Sequence, residues 1–204
     1  MSPIVGVLIA YLAGSIPSAY IAGRVKGVDL RKHGSGNLGA TNVVRVLGAR
    51  IGAVVFIADL LKGFLPVYFL PTYTETLRPE LWALVYGAAA ILGHVKPIFL
   101  LGKGGGKGVA TASGVFLALA FVPMLIAELV WIAVFYFTRY VSLASLVGAA
   151  VLPVAILLLS RDPRSPVFIS SVVIALFVFW THRENIGRLR RGEEHRFVKK
   201  ESAA

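Results

Sequence analysis

Cysteine is missing from the chain altogether. That removes a disulfide framework, a thiol nucleophile, and any zinc or iron–sulfur site built on thiolates, and it says little about compartment. Charge is also scarce. Only 15% of the 204 residues are Asp, Glu, Lys or Arg, where soluble domains average about 25%. Acid is the scarcer sign, with 10 Asp and Glu against 21 Lys and Arg and a formal net charge of +11. There is no internal repeat, no low-complexity tract and no basic segment ahead of the first apolar run, which begins at Pro3. A signal peptide needs a positive region first, so this run is expected to be a retained helix.

What is abundant is apolar surface: 57% of residues are hydrophobic and the mean hydropathy is +0.78. Runs of about 18 apolar residues or more read as membrane spans. Such segments lie at 3–23, 51–70, 81–101, 143–160 and 165–182. The excess of positive charge then points to basic loops on one membrane face and to anionic lipid rather than to nucleic acid.

The region Val109–Thr138 is ambiguous. One helix of that length would reach roughly 45 Å, beyond the ~30 Å hydrocarbon core. A turn near Phe121–Pro123 makes two short helices and brings the total to seven. The 24–50 loop, the 102–108 loop, Arg139 and the basic tail from Arg183 to Lys200 then share one face. The positive-inside rule favours this arrangement, with the N-terminus outside and the C-terminus cytoplasmic. The expected fold is therefore a single all-α integral membrane domain over 1–204, with some short helices joined to re-entrant glycine-rich loops. Irregular backbone at that depth is tolerated where it lines a polar cavity.

Three polar clusters fall on the cytoplasmic face. The first, His33–Asn42, spells G-x-G-x-x-G with Gly34, Gly36 and Gly39, but a membrane helix precedes it where a dinucleotide turn needs a strand. It is either a flexible connector or an anion nest of exposed backbone N–H groups, with Ser35, Asn37, Thr41, Asn42 and Arg45 alongside. The second, Gly102–Thr111, resembles a phosphate loop but is not a Walker A motif, because Gly108 follows Lys107 where Ser or Thr would hold magnesium. Its glycines Gly105, Gly106 and Gly108, with Lys107, open into a helix at about Val109, a ready anion site. The third, His182–Glu194, contains Asn185 and Arg188 three apart on one helix face. Arg190, Arg191 and the tail beyond Arg196, with Lys199 and Lys200, read as lipid anchors. Ser142 and Ser145 are equally good as helix caps or ligand donors. Asp59 and Lys62, also three apart, are placed to pair inside the bundle, and His94 before Pro97 is a packing residue or a site residue.

In this order, "GSGNLGATNVVR" (34–45), "DLLKG" (59–63), "GHVKPIF" (93–99), "GGKGVAT" (105–111), "RYVSLAS" (139–145) and "NIGRLRRGEE" (185–194) resemble the acyl-phosphate-dependent glycerol-3-phosphate acyltransferases of bacterial membranes, the PlsY family. The resemblance runs over almost the whole chain. One departure is the glycine count between the two lysines: three here, Gly104–Gly106, where the family has two.

The resemblance implies transfer of a fatty acyl group from acyl phosphate to the sn-1 hydroxyl of glycerol 3-phosphate, giving lysophosphatidic acid and phosphate. It implies no cofactor, no metal and no nucleic acid, and a monomer in the bacterial cytoplasmic membrane with its active site on the cytoplasmic side. The residues fit independently, since both substrates carry phosphate and one carries an apolar tail. Lys107 and the loop amides are expected to hold glycerol 3-phosphate, with Arg45, His182, Asn185 and Ser145 completing its site. Ser35, Asn37, Thr41 and Asn42 are expected around the acyl phosphate and its oxyanion, and Gly36, Gly39, Thr111, Ser142, Arg188 and Glu194 are further expected substrate-binding residues. The base is His182 or the donor's own phosphate. None of His33, His94, His182 or His195 has Asp five positions on, so the H-x-x-x-x-D acyltransferase class is excluded. The rival reading is a membrane carrier for phosphorylated solutes, which tends to show two-fold repeats.

Overall fold

The structure, a computed structural model, describes residues 1–197; Lys199 and Lys200 of the basic tail lie outside them. The described residues form ten α-helices and no strand. The chain divides into two compact units, Met1–Phe121 and the part from Val122 onward.

In the first unit α1 (Pro3–Ser15) and α2 (Ser18–Val25) are one apolar segment broken at Ile16–Pro17. Proline has no N–H and disfavours helical backbone in the residue before it; Ile16 accordingly turns to φ −57°, ψ 115°. After a loop come α3 (Ala40–Leu47), α4 (Ala49–Phe69), α5 (Pro79–Val95) and α6 (Val109–Leu119). In lipid, helices gain little from hiding apolar surface, and small residues that let backbones approach hold them together. That is the packing seen here. A Cβ on Gly14 of α1 would sit 2.1 Å from the Ala90 carbonyl oxygen of α5, and one on Gly93 of α5 would sit 2.3 Å from the Tyr11 carbonyl oxygen. Gly63 and Gly114 do the same for α4 and α6, at 2.1 Å from Thr111 O and 2.0 Å from Leu60 O.

The second unit contains α7 (Phe121–Thr138, from Val122 on), α8 (Val141–Ser160), α9 (Pro166–Thr181) and α10 (Arg183–Arg191). Its helices carry large apolar side chains pointing outward, among them Leu129, Phe137 and Leu158 at 66, 81 and 71% exposure. Such surface suits lipid, not water. Helix α9 meets α10 at a 59° bend.

The expected turn in Val109–Thr138 falls at Ala120, between α6 and α7. Among the described residues, five helical segments are long and apolar enough to cross a membrane, or six if α9 and α10 count as one bent span. The expected seventh, α6, has 11 residues and reaches only about 16 Å, half the hydrocarbon thickness.

Close backbone contact makes Gly114 intolerant of even a methyl group. Gly114→Ala is expected to destabilise the protein by about 1–3 kcal/mol through overpacking, read as a lower thermal midpoint in detergent. Gly187→Ala, whose added carbon meets only the flexible end of Arg191 at 3.4 Å, should leave the midpoint unchanged or raise it.

Candidate active site

The first glycine-rich loop is held by side chains of its own. Asp29 accepts a hydrogen bond from the Arg31 N–H at 3.1 Å and from Arg31 Nε and Nη2, both at 2.9 Å, and opens a 3₁₀ turn over Leu30–Lys32. These side-chain bonds hold the Asp29 carboxyl at about 2, below its ordinary 3.8. Gly34 and Gly36 take φ of +62° and +70°, conformations open to glycine at little cost. Asn42, on the first turn of α3 and 1% exposed, reaches back into the loop. Its Oδ1 accepts from Ser35 N–H at 2.8 Å, and its Nδ2 donates to the Leu30 and His33 carbonyls, both at 3.1 Å. The amide expected at the oxyanion is thus engaged by the loop's own backbone and fixes its shape. Ser35 stays exposed, while Asn37, Thr41 and Arg45 are half-buried.

The second glycine-rich loop lies against the first. Leu38, 5% exposed, packs in the cluster of Ala19, Leu30, Val43 and Val55. A Cβ on Gly106 would be 3.1 Å from the Leu38 carbonyl oxygen, and one on Gly104 would be 3.5 Å from both Leu38 Cδ1 and Arg31 Cδ. On its other side the loop rests on the end of α5: the Gly106 N–H donates to His94 O at 3.2 Å. Gly108, at φ +85°, turns the chain into α6, which begins at Val109 as expected. Lys107 is half-buried at this helix start. Thr111, fully buried, packs by its backbone on Gly63 in the contact of α4 with α6.

In the second unit one carboxylate gathers the third cluster. Glu194 Oε1 accepts from Ser142 Oγ at 3.0 Å and from Asn185 Nδ2 at 2.7 Å, and Oε2 accepts from Arg188 Nε at 2.7 Å. Gly192, at φ +72°, ends α10 and lets the chain fold back so that Glu194 is buried. Burial alone would raise the Glu194 carboxyl; the bonds from Asn185, Arg188 and Ser142 outweigh it and hold it below the ordinary 4.5. His182, 4% exposed, has Nδ1 2.9 Å from Val178 O. A carbonyl can only accept, so Nδ1 carries a proton and donates it. Ser145 Oγ donates to Val141 O at 2.9 Å and accepts from Trp131 Nε1 at 3.2 Å.

Sequence reasoning missed three contributors. Asp29 left a short-range signal, a carboxylate two residues before a basic residue in a turn. The break at Pro17 could have been read from a proline inside an apolar run. The bond from Tyr11 Oη to Lys96 O at 2.8 Å joins residues far apart in the chain and leaves no local mark.

Lipid-facing helices that carry glycine-rich, basic loops make this an integral membrane protein with polar loops suited to anionic ligands. Residues 4–192 match the family described as Glycerol-3-phosphate acyltransferase. Curated relatives named Glycerol-3-phosphate acyltransferase include that of Geotalea daltonii, 46% identical over 96% of this chain and 98% of its own. Another is that of Aquifex aeolicus, 45% identical over 94% and 97%. The fold is similar to crystal structures of PlsY, an integral membrane glycerol 3-phosphate acyltransferase. Its glycerol 3-phosphate form has a TM-score of 0.88 and 41% identity, covering 96% of each chain. Its lysophosphatidic acid form has a TM-score of 0.86 and 39% identity, covering 96% of this chain and 95% of its own. The chain belongs to the glycerol-3-phosphate acyltransferase family: it is a multi-pass membrane acyltransferase that transfers an acyl group to glycerol 3-phosphate.

The Glu194 cluster gives the protein a pH signature. Because the folded carboxyl lies below its ordinary value, its contribution to stability is complete above pH 4.5 and is lost as pH falls through the lowered value. At pH 7, Glu194→Gln should cost about 1–3 kcal/mol by leaving buried donors without the charge they face. The gap in thermal midpoint between wild type and variant should shrink steadily as pH drops below 4.5.

Proposed function

We propose that the acyl donor is an acyl phosphate and that the acceptor is the sn-1 hydroxyl of glycerol 3-phosphate, with lysophosphatidic acid and phosphate as products. The observation that carries this reading is the meeting of two glycine-rich loops at Leu38, with Lys107 at the start of α6. Backbone N–H groups, a lysine and a positive helix end together favour phosphate.

In this reading Lys107, with Gly105, Gly106 and Gly108, holds the phosphate of glycerol 3-phosphate, and Arg45 assists. Ser35, Asn37, Thr41 and the N–H groups of Gly36 and Gly39 take the acyl phosphate and the oxyanion, while Asn42 keeps that loop in shape. An acyl phosphate is a mixed anhydride whose carbonyl is already activated, so proximity and charge stabilisation carry the chemistry. The hydroxyl oxygen bonds to the acyl carbon, the bond from that carbon to the phosphate oxygen breaks, and the departing phosphate takes the hydroxyl proton. His182 is held by its bond to Val178 O, while Asn185, Ser142 and Arg188 order the second unit's polar cluster around Glu194 and Ser145 ties α8 to Trp131 of α7.

Basic residues concentrate in the 24–50 loop, the 102–108 loop, Arg139 and the segment from Arg183. Charge of that sign favours the cytoplasmic face. We therefore read seven helical segments, α6 the short one, with the N-terminus outside, the C-terminus and active site cytoplasmic, and a single chain as the working unit.

Purified protein given acyl phosphate and glycerol 3-phosphate should release lysophosphatidic acid and phosphate one for one, and acyl-CoA should not replace the donor. Lys107→Ala should lower kcat/KM for glycerol 3-phosphate by about a hundredfold; undiminished turnover would sink the phosphate-loop assignment.

Loss of a true general base costs about 10²–10⁴ in rate. His182→Ala should instead reduce kcat only about threefold, and a larger loss would transfer the proton from the substrate phosphate to His182.

A further inference from the structure

Beneath the second glycine-rich loop lie three ionisable residues that the mechanism does not use. Asp59 and Lys62 of α4 and His94 of α5 are 2, 8 and 6% exposed. Lys62 Nζ lies 2.8 Å from Asp59 Oδ1 and donates to the Ile16 carbonyl at 3.0 Å. That carbonyl sits at the break between α1 and α2, where it also accepts from the Ser18 N–H at 3.0 Å. His94 Nδ1 lies 3.7 Å from the same Asp59 oxygen. The opposite edge of its ring faces the loop, so that a Cβ on Gly106 would be 2.1 Å from Nε2. A small pocket joins these parts, lined by Ile16–Ser18, Asp59, Lys62, His94 and Gly104–Gly106.

We propose that Asp59, Lys62 and His94 form a positioning unit that sets the height and direction of the 104–108 backbone against α5. The inference rests on the reading that this loop holds the phosphate of glycerol 3-phosphate. Two features carry it. A buried ion pair is a poor source of stability, since apolar residues of similar size usually serve as well. What a charged pair supplies is direction, and here its three contacts run to the helix break, to the histidine and, through the imidazole, to the loop. Glycine at 106 is also required for contact with that ring: any side chain would displace one or the other. The proposed mechanism gives none of the three a substrate contact, so their effect is assigned to the loop they support. A displacement of about 1 Å in a binding backbone is enough to cost orders of magnitude.

The test is steady-state kinetics in detergent with palmitoyl phosphate saturating and glycerol 3-phosphate varied. Lys107→Ala examines the loop reading by itself: an unchanged KM there overturns that reading, whatever the other variants do. Asp59→Leu/Lys62→Met replaces the ion pair by apolar residues of similar bulk. It should keep a near wild-type melting point while KM for glycerol 3-phosphate rises about tenfold and kcat stays within about threefold. If KM is raised in Lys107→Ala but is wild-type in the folded double variant, the loop reading stands and the positioning unit falls. A second cycle leaves the ion pair intact. Gly106→Ala should raise KM by crowding the imidazole, and adding His94→Ala should bring KM down to that of His94→Ala alone. Simple multiplication of the two single effects would overturn the proposal, because it would mean that ring and loop act separately.

Discussion

In hydrocarbon, every backbone polar group needs a partner within the protein and helices gain little by hiding apolar surface from one another. The first unit meets the first condition through hydrogen bonds within its helices and the second through close contact of main chains. Gly14 and Gly93 bring α1 onto α5, and Gly63 and Gly114 bring α4 onto α6. Two polar features of this unit depend on those contacts. They fix the start of α6, and hence the direction of the N–H groups behind Gly108. They also bring the broken end of α1 within reach of Lys62.

On this frame, each unit stiffens an irregular segment with a single side chain. In the first, the amide of Asn42 takes one backbone N–H and two carbonyls of the loop before it. In the second, the carboxylate of Glu194 takes three side-chain donors from α8 and α10. The chemistry differs for a reason. A loop presents both donors and acceptors, and an amide can satisfy both; a ring of hydroxyl, amide and guanidinium donors calls for an acceptor with charge. Under the proposed function, a loop held in this way would meet the transition state with its dipoles already aimed, the condition under which oriented backbone groups accelerate a reaction.

The helical membrane class, the paired Asp59 and Lys62, the shared face of Asn185 and Arg188, the start of α6 and the turn after it were all legible from hydropathy and spacing. Each is a local property: period, length, or a separation of three residues. Less legible were the roles within the clusters. Asn42 reads in sequence as one more polar residue in a glycine-rich loop, and only its burial against Ser35, Leu30 and His33 makes it a brace. Thr111 belongs to the phosphate-loop pattern, yet it lies wholly buried where α4 meets α6.

Sequence alone therefore determined the solvent of the protein, the sign of its net charge and most of its long apolar helices. These follow from composition and short-range order, which the chain carries before it folds. Tertiary structure decided which glycines exist for contact and which for a turn, which polar groups hold the loops and which face outward. It also decided that Lys62 reaches a carbonyl 46 residues away. Such outcomes depend on the close approach of distant backbones, and no spacing along the chain encodes that distance.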